Sequence, residues 1–232
     1  MKKTTLFSIL TIFILIPGTL FLGSNLRGRW HYLTSTLIIL ETMLPFFVLF
    51  ESRKPQAREL VTIAVMCALA AASRVAFTFL PSFKPITAIV MITGIAFGPQ
   101  AGFLTGAVSA FASNFFFSQG PWTPWQMLSY GMGGFAAGLF FAGRPRLRHP
   151  AVLSAFGFVL VLVLVGPILD LCTVFTSLTR ITWPSVLLVM SSGLMMNVTH
   201  AVSCALTMLL FGRPLLEKLD RLKRKFGMLD AG

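Results

Sequence analysis

The stretch from Pro85 to Gly143 reads PITAIVMITGIAFGPQAGFLTGAVSAFASNFFFSQGPWTPWQMLSYGMGGFAAGLFFAG, and its 59 residues include no Asp, Glu, Lys or Arg. A helix that crosses a bilayer needs ~20 mostly apolar residues, so this segment is long enough for more than one crossing. Gly98-Pro99 and Gly120-Pro121 are turn formers. They divide the stretch into Ile86–Phe97, Ala101–Phe117 and Trp122–Ala142. Working outward toward the N-terminus, the same reading gives spans at Leu60–Leu80, with Arg74 near its far end, Tyr32–Phe50, with Glu41 inside it, and Leu6–Leu22. Toward the C-terminus it gives Ala151–Leu169 and Ser185–Phe211. The expected fold class is an all-α membrane protein of eight spans. Ile86–Phe97 is short for a crossing, so it is expected to start a little earlier or to cross where the bilayer is thinned.

Composition agrees. Of 232 residues, 56% are hydrophobic and 11% charged, and the mean hydropathy is +0.83. Soluble domains carry roughly 25% charged residues. A cytosolic enzyme, a disordered chain and a secreted disulfide scaffold are therefore excluded. The net charge of +12 comes from 19 Lys and Arg against 7 Asp and Glu. Because the cations lie between apolar runs, they orient the chain in a membrane, and no nucleic-acid partner is expected. With eight spans and both termini cytoplasmic, the inner side holds fourteen of the nineteen: Lys2, Lys3, Arg53, Lys54, Arg58, Arg144, Arg146, Arg148 and the six from Arg213 to Lys225. Arg27, Arg29, Arg74, Lys84 and Arg180 fall outside. The opening Met1-Lys2-Lys3 fits a signal peptide, but the apolar run after it is long and ends without a small-x-small site, so it reads as a retained span.

Polar residues inside spans are costly and often functional. Once the orientation is fixed, several share the outer level: Arg74, Lys84, Asn114, Gln119, Trp122, Trp125, Gln126, Asp170 and Arg180. Cations, amides, one carboxylate and indole rings on one face would suit a ring-bearing or carboxylated solute. An aromatic belt with loop charges in water is the plain alternative. Glu41 could carry a proton, pair with His200 or Asn197, or be protonated in the bundle. Phe115, Phe116 and Phe117 read as lipid-facing or core residues. The three cysteines and three histidines have no ligand spacing, so neither metal nor cofactor is expected. A phosphate loop is missing, as are HExxH and GxSxG motifs. Asp170 is the only Asp before residue 220, which removes a paired-aspartate mechanism. The reading is binding or transport, not an enzyme.

Small residues recur every four positions. Gly94, Gly98, Gly102 and Gly106 form one series, and Gly134 and Gly138 repeat it. Such spacing lets helix backbones approach closely in lipid. Ala64, Ala68 and Ala72 form another stripe, an internal packing face or a docking face for a partner's helix. In the C-terminal tail, Leu215, Leu216, Leu219, Leu222 and Phe226 alternate with cations. This is either a helix lying on the anionic inner leaflet or a positive stop after the last span.

Ala71-Ala72-Ser73-Arg74, Lys84-Pro85-Ile86-Thr87-Ala88, Gly98-Pro99-Gln100-Ala101-Gly102 and above all the run from Ser113 through Asn114, Gln119-Gly120-Pro121-Trp122-Thr123-Pro124-Trp125-Gln126 to Met127 carry a resemblance. The chain resembles the substrate-binding S components of energy-coupling factor (ECF) transporters over residues 58–212. That resemblance implies a six-helix S-component-like bundle, with residues 1–57 as two extra N-terminal spans and a linker, and 213–232 as a basic cytoplasmic tail. It implies a membrane-embedded subunit in a bacterial cytoplasmic membrane that binds a vitamin or vitamin precursor. Import would be powered by a separate transmembrane T component and two ATPase subunits. It also implies that Ala64, Ala68 and Ala72 meet the T component, and that the cargo pocket lies outside, under the Pro81–Pro85 loop. Some members that this Gln-Gly-Pro-Trp-Thr-Pro run resembles are associated with cobalamin or other corrinoids. The alternative reading is a stand-alone proton-coupled carrier of a small organic solute.

Overall fold

The computed structural model describes residues 11–15, 18–19, 30–52, 55–178 and 180–227. Most of the expected first span, Leu6–Leu22, lies outside the described residues. Among those described, the long regular elements are all α-helices. They are α1 (Trp30–Ser52), α2 (Ala57–Ala76), α3 (Ile86–Phe97), α4 (Pro99–Phe117), α5 (Thr123–Phe141), α6 (Pro150–Ser177) and α7 (Trp183–Phe226). By length and apolarity, α2, α6 and α7 can each cross a membrane.

Helix α2 ends at Ala76, short of the expected Leu80. Pro81 disfavours helical geometry at Leu80, and the chain unwinds through turns in which the Leu80 N–H donates to Phe77 O and the Phe83 N–H to Leu80 O. Helix α3 starts at Ile86, no earlier, and all twelve of its residues are buried. Neighbouring helices thus cover this short helix on every side. Between α3 and α4, Gly98 adopts φ 95°, a left-handed value that favours glycine.

The core of the bundle is a backbone junction of α3, α4 and α5. A Cβ placed on Gly102 would lie 2.6 Å from the carbonyl carbon of Gly134 and 2.7 Å from Cα of Gly94. One on Gly138 would lie 2.6 Å from Cα of Pro99. The two glycine series thus meet each other, and backbone packs on backbone.

Helices α6 and α7 each contain a π-helical turn, at Val161–Val165 and Met208–Gly212. Pro167 and Pro214 follow these turns by two residues. Proline lacks an N–H and its ring clashes with the carbonyl one turn back; a wider turn absorbs both faults without breaking the helix.

With 44 residues, α7 is ~66 Å long, about twice the ~30 Å hydrocarbon core. Its last segment, Arg213–Phe226, tucks beneath the bundle. Leu216 and Leu219 are buried against protein. The Lys223 ammonium donates to Ala96 O at 2.5 Å, and Arg148 bonds Asp220 at 2.7 Å while Nη2 reaches Ile95 O at 3.4 Å. Ile95 and Ala96 offer the last carbonyls of α3, which have no helical partner, and the cations complement that helix end.

Helix α1 packs on the other side. Phe46 stacks on Phe103 with centroids 4.1 Å apart and meets Phe135 edge-on at 5.0 Å. The α2 stripe of Ala64, Ala68 and Ala72 is left exposed.

Candidate functional site

The site is built where α2 and α4 end and α5 begins. Arg74 sits two residues before the end of α2 and is only 9% exposed. Its Nη1 donates to Ser113 Oγ at 2.6 Å and to Asn114 Oδ1 at 2.8 Å. The guanidinium lies 4.6 Å from the centre of the Phe117 ring. Among the described residues no carboxylate pairs with it. A buried cation without a counter-charge is expensive. Here neutral oxygens, a ring face and the C-terminal end of α4 offset part of that cost and leave the charge uncancelled.

Asn114 passes the network on. Its Nδ2 donates to Thr123 Oγ1 at 3.0 Å and to Gln126 Oε1 at 2.9 Å. The Thr123 hydroxyl donates to Gln119 Oε1 at 2.9 Å, and the Gly120 N–H donates to the same hydroxyl at 3.2 Å. Arg74, Asn114, Gln119 and Gln126 are therefore joined. Thr123 is the joint between Asn114 and Gln119, and Ser113 is a second acceptor for Arg74; sequence reasoning singled out neither. The available signal was their place in the Ser113–Met127 run itself.

A second polar group lies deeper. His200, buried, shares a 2.7 Å hydrogen bond between Nε2 and Thr87 Oγ1. Tyr130 meets the His200 ring edge-on at 6.0 Å, and its buried hydroxyl has no partner. Lys84, half-buried, and Arg74 both act electrostatically on His200. Asp170 accepts from Asn197 Nδ2 at 2.7 Å, one turn before His200 on α7. Thr87, Tyr130, His200 and Asn197 were not among the expected site residues.

The indoles divide. Trp125 is buried and stacks on Phe175 with centroids 5.5 Å apart, and its Nε1 has no acceptor. Trp122 is 40% exposed and lies over its own turn, where a Cβ on Gly120 would come within 2.6 Å of the ring. Arg180 is exposed in the α6–α7 loop and is not joined to the group. Phe115 and Phe116 are exposed, whereas Phe117 faces Arg74. Glu41 reaches neither His200 nor Asn197; it accepts from Thr19 Oγ1 at 2.6 Å.

The arrangement offers a guanidinium that no carboxylate among the described residues neutralises, amides tied to it and the face of Phe117, while the Trp125 N–H and the Tyr130 hydroxyl are buried. It suits a planar solute rich in acceptors. A family model described as ECF-type riboflavin transporter, S component, matches residues 54–218. No curated protein and no solved structure matches.

Proposed function

The chain belongs to the ECF-type riboflavin transporter S component family, and from that membership we propose that it captures a vitamin from outside the cell for import across a bacterial cytoplasmic membrane. The family is one of transporter subunits, and it implies a T component and ATPase subunits as partners. In this reading the chain crosses the bilayer eight times with both termini inside, and the residues from Arg144 to Arg148 and from Arg213 to Lys225 face the cytoplasm. The observation that carries the proposal is buried Arg74, which has no carboxylate partner among the described residues and is tied to Asn114 and, through it, to Gln126 at the opposite, cation-poor end.

We place riboflavin first among cargoes. The family description favours it, and a fused ring with a carbonyl-bearing edge matches a donor such as the Arg74 guanidinium beside the Phe117 ring. Cobalamin serves as the comparison arm. The test is a titration of riboflavin fluorescence with the purified chain. Saturable quenching at one riboflavin per chain, without ATP and without competition by cobalamin, is expected. Absence of quenching together with tight cobalamin binding would reassign the cargo.

Transport should require other chains. Liposomes holding this protein alone, under a pH gradient, are expected to accumulate no riboflavin. Accumulation there would establish the carrier reading instead. That reading draws little from Glu41, whose carboxylate is engaged by Thr19 rather than by the site.

We also propose the exposed Ala64, Ala68 and Ala72 stripe as the face that meets the T component. Helix α1 packs on Phe103 and Phe135, and the alanine stripe of α2 stays exposed. Ala68→Trp should leave cargo binding unchanged and abolish copurification with the T component and uptake. Undiminished uptake would remove the stripe from the interface.

A further inference from the structure

A cavity of about 320 Å³ opens at the basic end of the bundle, between the Pro145–His149 loop and the first turns of the Arg213–Phe226 segment. Arg146, Arg148, His149, Arg213, Glu217 and Asp220 line it. The two carboxylates are already engaged: Asp220 with Arg148 at 2.7 Å and Glu217 with Arg213 at 2.8 Å. Arg146 has no such partner among the described residues. The Nε of Arg148 is buried and has no acceptor. The N-terminus of α6 begins at this wall, and no side chain caps its first N–H groups. Three guanidiniums against two carboxylates, an unused buried N–H and an uncapped helix start all favour an oxyanion. The place matters as well. Arg213 directly follows the last apolar turn of α7 and Pro150 directly precedes the first of α6, which in the proposed eight-span reading sets the cavity at headgroup depth, where basic pockets between spans hold lipid phosphates.

We propose that this cavity binds a phosphate-bearing anion, remote from the cargo site and independent of it. The phosphate could belong to an anionic lipid headgroup or be free in solution. Native mass spectrometry of the full chain, released from micelles doped equally with phosphatidylglycerol and phosphatidylcholine, separates these sources. One phosphatidylglycerol should be retained per chain in preference to phosphatidylcholine. Arg146→Gln and Arg213→Gln should each weaken retention by roughly five-fold, and Arg146→Lys should preserve it. The Arg146 side chain is exposed and has no hydrogen bond or ion pair among the described residues, so its substitution does not put folding at risk. If millimolar inorganic phosphate, rather than phosphatidylglycerol, protects the chain against heat, and Arg146→Gln cancels that protection, the site is one for free phosphate. Equal retention of both lipids, no effect of phosphate and no change in the variants would overturn the proposal.

Discussion

Gly134→Leu leaves no folded protein. Gly134 stands where three backbones converge: a Cβ there would meet the carbonyl carbon of Gly102 at 2.6 Å and Val90 Cγ1 at 2.7 Å. Main-chain atoms cannot step aside as a flexible side chain does, so α4 and α5 must separate. Separation forfeits the dispersion contacts that hold helices together in lipid, where no hydrophobic driving force substitutes for them. The cost exceeds the ~1–3 kcal/mol of ordinary overpacking. Size-exclusion chromatography of the detergent-extracted variant should show aggregate only. Gly212→Ala is the control, since the nearest atom to its added Cβ is 3.6 Å away, an ordinary contact. A monodisperse Gly134→Leu protein would mean that the helices do not cross here.

Arg74→Met separates binding from stability. The substitution removes the uncancelled charge. Losing a hydrogen bond to a charged group costs about 1.5–3 kcal/mol, which is about 10- to 100-fold in affinity. Riboflavin titration should show that loss. Folding responds differently. The variant strands Asn114 Oδ1, a cost of about 1–3 kcal/mol. It also removes a desolvation penalty of several kcal/mol, and methionine fills much of the same space. The cargo-free melting temperature should therefore stay within about 4 °C of the parent. Arg74→Lys, which keeps the charge and loses the planar fork, should recover part of the affinity. Unchanged affinity in Arg74→Met would remove Arg74 from the site. A collapse in melting temperature would make it a structural residue.

Much of the bundle can be read along the chain because its punctuation is local. Gly98-Pro99 and Gly120-Pro121 break helices by their own backbone chemistry, and α3, α4 and α5 begin or end within two residues of the expected positions. Glycine spacing likewise announces close packing. It does not say that Gly134 would serve both Gly94 and Gly102, because helix pairing is a long-range choice. Arg74, Asn114, Gln119 and Gln126 stand out because charges and amides are rare in apolar runs. Ser113, Thr123 and Thr87 do not, since hydroxyls are common in spans and often bond their own backbone, as Thr105 does with Ala101 O. Tyr130 and His200 belong to helices far apart in sequence, and only the fold joins them. The tail was half legible. Its apolar period shows a two-faced helix, but the extra residue in the Met208–Gly212 turn resets the phase, and that decides that Leu216 and Leu219 face protein rather than lipid.

Helix α3 has one further consequence. Its twelve residues cover ~18 Å of a ~30 Å hydrocarbon layer. At its end, Lys223 and Arg148 reach the carbonyls of Ala96 and Ile95. Lys223 and the Arg148–Asp220 pair thus cap this end of α3. Fraying that end of α3 would first have to break the bonds from Lys223 and Arg148, which ties the folding of the tail segment to that of the core.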